Sequence, residues 1–290
     1  MGPPLFFAIA GLHISVTADR PLILSSFGDN LRRFTADPTS RPDITIRHHF
    51  RLMPPSRDPG RKLHAKAPWI IFQNGEFFTY YCTTDGRSTA KADRVAYVDT
   101  LHRNIDIYHI SSQSHFPSLT LMPTDQVFLA RALPNFDAML VHAAGAIWND
   151  AGLAFLGHSG AGKSTILKLL SEAEILCDDR IIIRHGGEGT NVFGTWSHGE
   201  IPIVSAARAP LRGLFFLEKS RKNEIIPLTD RRDVYLRLVQ FLILPMVSKE
   251  WWEKVLDVTE RIVSNTPAFL LRFDRTGVIR SNLEDLLSRG

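Results

Sequence analysis

The chain has 290 residues, 44% hydrophobic and 22% charged, enough apolar material for one large domain or two modest ones; this composition excludes an intrinsically disordered chain. The formal net charge is only +4, with basic residues interspersed among acidic ones, so no nucleic-acid partner is expected. Two cysteines, Cys82 and Cys177, are too few for a disulfide framework or a metal-ligand cluster and fit a reducing cytosol.

The first segment, residues 1–16, is apolar but lacks the basic start of a signal peptide. The apolar run Leu242 to Val247 is interrupted by Pro245 and is too short to span a bilayer. A cytoplasmic protein without a membrane partner is therefore expected.

From Phe6 to about Met122 the pattern is that of short strands, which defines a β-rich N-terminal region over 1–122. Ile44 to Arg47 alternates. Trp69 to Tyr81 reads as a hairpin whose Asn74-Gly75 suits a type I′ turn, and Val95–Val98 and Ile105–Ile110 continue the series. Arg51 to Pro68, with Arg57, Arg61, Lys62 and Lys66, reads as a solvated loop or as a surface for an acidic partner.

The pattern changes at Pro123-Thr-Asp125, a helix-start signal that opens a second region over 123–290. Gln126–Leu133 and Phe136–Ala144 have helical spacing. Ala146–Trp148 and Leu153–Leu156 flank Asn149-Asp-Ala-Gly152 as a hairpin. Further strands are expected at 181–184, 191–193, 213–217, 224–226 and 268–272. Helices are expected at 230–244 and 249–264, with a last one from Asn282, where Ser281 and Glu284 fit a capping box. The second region is accordingly of mixed α/β class.

Within it, Gly157, Gly162, Lys163 and Ser164 satisfy the G-x-x-x-x-G-K-[ST] pattern of a phosphate-binding loop, between an apolar strand and an amphipathic helix. The loop Gly157, His158, Ser159, Gly160, Ala161, Gly162, Lys163, Ser164 and Thr165 would curl its amides around a polyphosphate. Lys163 would reach the β- and γ-phosphates of ATP, and Ser164 would offer its hydroxyl to Mg²⁺. Fifteen residues after Lys163 stands Asp178-Asp179, followed by the strand Ile181–Ile183. An adjacent acid pair is either a solvated turn or a functional couple, one member holding Mg²⁺ and the other accepting a proton. Asp178 is assigned to the metal and Asp179 to the base, with the reverse order open.

These residues resemble the HPr serine kinase/phosphorylases and, more distantly, the ATP-dependent phosphoenolpyruvate carboxykinases. The likeness is carried by Val141–Ala144, the loop Gly157–Thr165, Ile175–Asp179 and a looser stretch from Thr195 to Leu217. It implies a carboxykinase/HPr kinase-like P-loop catalytic domain, with Asp179 or its neighbour as catalytic base and His142 as the histidine preceding the loop hairpin. It places Glu200 at the metal and His198 at substrate or phosphate. Without the resemblance, His142 reads equally as a core histidine. Arg180, Arg208 and Arg212 are candidates for charge stabilisation, or for surface ion pairs.

The glycine-rich signature of the HPr kinase/phosphorylases and the oxaloacetate-binding set of the carboxykinases are absent. The chain is thus most similar to divergent HPr-kinase-related proteins, some of which phosphorylate a serine of a precursor peptide. The expected activity is ATP- and Mg²⁺-dependent phosphorylation of a hydroxyl, a serine of a peptide or small protein, with the N-terminal region shaping the acceptor site. A small-molecule hydroxyl kinase and a non-catalytic ATP-binding regulator are the alternatives. A homo-oligomer is left open.

Overall fold

The computed structural model describes residues 2–50, 53–110, 115–116, 118–121, 126–245 and 248–288. It is mixed α/β, with two large sheets and a few helices, and it divides into two units, Met1–Ala132 and Leu133–Gly290. The helix-start signal at 123–125 lies outside the described residues. No described helix is long and apolar enough to cross a membrane.

The first unit is built on an eight-stranded sheet. Its strands are β1 (Leu5–Ile9), β2 (Leu12–Ala18), β3 (Ile44–Phe50), β4 (Arg61–Lys66), β5 (Trp69–Gln73), β6 (Phe77–Cys82), β7 (Arg94–Asp99) and β8 (Asn104–His109), with two short helices, α1 (Asp29–Arg32) and α2 (Gln126–Ala132). The spatial order is β1-β2-β3-β8-β7-β6-β5-β4, in which β2, β3 and β8 run parallel and the remaining pairs antiparallel. Alternation in β3 buries Ile44, Ile46, His48 and Phe50 on one face. Two expectations change here. Left-handed backbone in the β5–β6 hairpin falls on Gly75 (φ +96°) and not on Asn74, so the turn centres on Gly75-Glu76 and is not the Asn74-Gly75 type I′ turn. The side chain of Asn74 instead accepts the amides of Glu76 and Phe77. Part of the basic stretch expected as loop is the exposed edge strand β4.

Three histidines are buried in this unit. His48 Nδ1 lies 2.9 Å from His109 Nε2, and His48 Nε2 lies 2.9 Å from the carbonyl of Leu119. Burial pushes both imidazoles down to about 3. His102, bonded to the Tyr80 hydroxyl at 2.9 Å, is held well below the ordinary histidine value by the same cause.

The second unit is organised on one long strand. Its elements are β9 (Ala138–Val141), β10 (Ala143–Trp148), β11 (Ala151–Leu156), α3 (Lys163–Leu169), β12 (Glu174–Cys177), β13 (Ile181–Gly186), β14 (Gly189–Phe193), β15 (Arg208–Lys219), β16 (Glu224–Pro227), α4 (Arg231–Val239), α5 (Lys249–Asn265), β17 (Ala268–Phe273) and α6 (Ile279–Ser288). The sheet order is β12-β10-β11-β15-β14-β13-β9. The first residues of β15 pair antiparallel with β14 while its later ones lie parallel to both β11 and β17; β17 also takes β16.

Period-two alternation supplies two apolar faces. On one, Ala154, Leu156, Leu214 and Phe216 pack with Val234 and Leu238 of α4 and with Trp251, Val255, Val258 and Ile262 of α5. On the other, Leu153, Phe155, Phe215 and Leu271 pack with Ile166 and Leu167 of α3 and with Ile279 and Leu283 of α6. The helices on α4's side start at side-chain caps, since Asp230 accepts the amide of Arg232 and Ser248 that of Trp251.

Three expectations in this unit are corrected. Residues 138–141 and 143–148 are strands, not a helix over 136–144, because Ala138–Val141 pairs with β13 and Ala143–Trp148 with β11. The helix from 230 stops at Val239, not Leu244, since Phe241 and Ile243 bond to His142 and Leu140 along the edge of β9. The last helix begins at Ile279, with Ser281 inside it, and Glu284 bonds to Arg280 and not back to a cap.

Candidate active site

Parallel strands β11, β15 and β17 all end at the same edge of the sheet, where the loops that follow them meet, the usual position of ligand sites in α/β sheets. After β11 the chain turns through residues 157–162 into α3. The turn is closed by the amide of Ala161 donating to the His158 carbonyl at 3.0 Å. At Gly162 the backbone is left-handed (φ +111°), and a Cβ there would lie 2.7 Å from the Phe273 ring, so only glycine fits. A two-residue turn, Asn149-Asp150, both with positive φ, joins β10 to β11 and fixes the register of the strand that feeds the loop.

Lys163 opens α3 but is buried. Its ammonium donates to the carbonyls of Gly157 (2.8 Å) and His158 (3.4 Å) and lies 3.1 Å from Nε2 of His142. Burial lowers its pKa, while Asp179, Asp178 and Glu200 act in the opposite direction. His142 sits at the junction of β9 and β10, pinned by its amide donating to the Phe241 carbonyl at 2.7 Å. Its Nδ1 lies 3.2 Å from Asp179 Oδ1. A charged Lys163 can only donate, so Nε2 of His142 accepts and Nδ1 carries the proton toward Asp179.

The adjacent acids differ in their surroundings. Asp178 is buried, and its two oxygens accept the amides of Gly199 (2.6 Å) and Ile201 (2.8 Å). Asp179 faces His142 and pairs with Arg180 at 3.0 Å. The His142 hydrogen bond, followed by the Arg180 charge, holds the Asp179 carboxyl below the usual carboxylate range, against the effect of burial. Cys177 anchors the turn: its thiol donates to the Ser197 carbonyl at 2.9 Å, and the amides of Asp179 and Arg180 point at its sulfur from 3.4 Å. Burial pushes that thiol's pKa up, which suits a structural role and not a nucleophilic one.

A cleft of about 490 Å³ gathers His142, Ser159, Gly160, Gly162, Lys163, Ser164, Thr165, Asp178, Asp179 and Glu200. Gly157, His158 and Ala161 instead line a second cleft on the other side of the loop, beside α4. His198 is exposed, bonds to the Gly199 carbonyl at 3.0 Å, and is not part of the first cleft's lining. Nor are the three candidate arginines: Arg180 is held by Asp179, Arg208 lies 3.8 Å from Glu188, and Arg212 is exposed on β15.

The opposite wall went unread in the sequence. It consists of Lys219 and Ser220 at the end of β15 and Phe273, Asp274 and Arg275 at the end of β17. The available signal was their position at the ends of the strands 213–217 and 268–272, which only becomes informative once those strands are known to run parallel to β11.

A search of curated proteins finds no match for the chain. Residues 119–288 match the family model described as SynChlorMet cassette protein ScmC, a span that covers more than half of the chain and takes in the glycine loop, the acid pair and both walls of the cleft. The chain therefore belongs to the ScmC family of SynChlorMet cassette proteins.

Proposed function

We propose that the protein is an ATP-dependent phosphotransferase, with a P-loop catalytic unit like that of the HPr kinase/phosphorylases and phosphoenolpyruvate carboxykinases, acting on a serine hydroxyl of a peptide or small protein. The observation that carries this reading is the meeting of Lys163, His142 and Asp179 in one hydrogen-bonded series along the cleft. Lys163 has the position and charge to hold the β- and γ-phosphates. Once a phosphate draws the ammonium away, Nε2 of His142 is left as a proton acceptor for the incoming hydroxyl. Asp179 behind it stabilises the imidazolium that forms, and Arg180 keeps Asp179 ionised.

The candidate metal donors are oxygens, from Ser164, Asp178 and Glu200, a hard set that suits Mg²⁺. Among the described residues no group of three His, Cys, Asp or Glu could hold a metal ion. Mg²⁺ commonly takes one or two carboxylates plus substrate phosphates, so Ser164 and Asp178 would hold it together with the nucleotide. When bound, it neutralises charge on the phosphates being separated.

Incubation with γ-labelled ATP and cell extract tests the reading. Label recovered on a serine of a peptide or protein, and lost with Lys163→Ala, supports it. Label on a small molecule favours a metabolite kinase, and ATP binding without any transfer favours a regulator.

A further inference from the structure

Two cations at the strand ends facing the acid pair have no place in the chemistry above. Lys219 is the last residue of β15, and Arg275 lies two positions beyond β17, whose Phe273 is in parallel register with Lys219. The amide of Ser220 donates to the Phe273 carbonyl at 3.1 Å, which ties the two chain ends together. Both residues line the first cleft, Lys219 the second as well, and among the described residues neither has an ion pair or side-chain hydrogen bond.

The carboxylates near them have other partners. Glu218 and Glu224 lie 3.0 and 3.5 Å from Arg272, and Asp274 accepts the amide and hydroxyl of Thr276 at 2.8 and 2.6 Å. Two exposed like charges at neighbouring strand ends gain from an anion placed between them. The cleft also needs them. Asp178, Asp179, Glu200 and Asp274 line it against a single cation from the glycine loop, Lys163, a balance that repels a polyphosphate.

We propose that Lys219 and Arg275 form a second anion subsite, beside the glycine loop and across the cleft from the acid pair, which holds the non-transferred phosphates of a nucleoside triphosphate. The inference rests on the phosphotransferase reading and assigns the donor to one wall, leaving the acidic wall of Asp179 and Glu200 to the acceptor. A charged contact of this kind at a partly exposed site weakens binding by roughly five- to tenfold when removed.

The test is calorimetric titration of ATP, ADP and AMP into the full chain and into Lys219→Ala, Arg275→Ala, the double alanine variant and Lys163→Ala. The double variant should lose about 30-fold in affinity for ATP and ADP and less for AMP, which keeps only one of the two non-transferred phosphates, with the loss shrinking as salt rises. Lys219→Arg should recover most of the binding. Should either alanine variant unfold, Lys219→Gln and Arg275→Gln serve in its place. Normal ATP affinity in the double variant, alongside lost affinity in Lys163→Ala, overturns the subsite while leaving the phosphotransferase reading intact. An acceptor KM that rises while ATP binding is unchanged also overturns it, since the anion would then belong to the acceptor. Failure of the unaltered protein to bind ATP overturns the underlying reading and the subsite together.

Discussion

Nε2 of the His142 imidazole lies 3.1 Å from the Lys163 ammonium, which joins the junction of two strands to the first residue of α3. On the phosphotransferase reading proposed above, the contact divides labour between the residues: Lys163 would supply charge to a phosphate and His142 would take a proton. His142→Gln should keep ATP affinity within about threefold and slow transfer by roughly 10²- to 10³-fold. Lys163→Ala should lose ATP binding itself. Calorimetry together with kcat for labelled transfer separates the two, and equal loss of binding in both variants would remove the division.

The two aspartates should behave differently because their partners differ. Asp178 accepts two backbone amides in a buried position, so Asp178→Ala should destabilise the chain by about 1.5–3 kcal/mol. Asp179→Asn should leave the melting temperature close to that of the unaltered protein and lose transfer, since a neutral amide no longer stabilises a charged His142. Thermal melts and transfer rates on both variants check this. A fully stable Asp178→Ala would show that the 199–201 turn does not depend on the carboxylate.

Gly199 gives an independent check on the same turn. A Cβ there would lie 3.1 and 3.2 Å from the oxygens of Asp178 and 3.2 Å from Cβ of Asp179, closer than ordinary contacts. Gly199→Ala should therefore displace the acid pair and cut transfer at least tenfold with ATP binding largely kept. Unchanged turnover would mean that the turn relaxes freely.

How much of this was legible in the sequence depends on the range over which each signal acts. The glycine loop and the acid pair lie within a short stretch of chain, and their spacing sufficed to place Lys163, Ser164, Asp178 and Asp179 around one cleft. His142 was picked out, but on the wrong element. The run from 138 to 144 has helical spacing, and only the reach of the β10–β11 hairpin back to Ala143, together with pairing of β9 to β13 far along the chain, makes it strand. The strand-end wall of Lys219 and Arg275 depends on parallel pairing across more than fifty residues, which no local pattern encodes. In the first unit, β4 was hidden for a different reason: its partner β5 follows at once, but the strand is exposed along almost all its length and so carries no buried alternation to mark it.

The buried histidines of the first unit predict an acid sensitivity. Folded, His48 and His109 stay neutral down to about pH 3, whereas the unfolded chain protonates them near the ordinary value of 6.5. Unfolding therefore takes up protons between those limits. Stability contributed by the pair is complete above 6.5 and is lost as pH falls toward 3. His109→Phe, in a slot where the His109 ring already stacks on Phe50 at 4.7 Å, should make this acid limb shallower by about one proton. Denaturant midpoints from pH 7 to 4.5 measure the slope, and an unaltered slope would mean that other groups carry the effect.

The exposed edge strand β4 carries Arg61, Lys62 and Lys66 and pairs on one side only, with β5. Lysine on a sheet edge has a well-known protective use, since it discourages another chain from pairing with the open backbone groups. The same charges would attract an acidic stretch in the peptide acceptor proposed above and speed its encounter. Arg57 is unsuited to a test, because its guanidinium lies over the rings of Phe77 (5.2 Å) and Tyr97 (4.6 Å), so its reversal would disturb packing as well as charge. Joint reversal of Arg61, Lys62 and Lys66 to Glu should raise KM for the natural acceptor several-fold at low salt, leave KM for ATP unchanged, and lose its effect as ionic strength shortens the Debye length below about 8 Å. Replacement of the three by Ser separates the two uses. Self-association in sedimentation with a normal acceptor KM would make β4 a guarded edge and nothing more, whereas a monomeric variant with a raised KM would make it the docking strand for the acceptor.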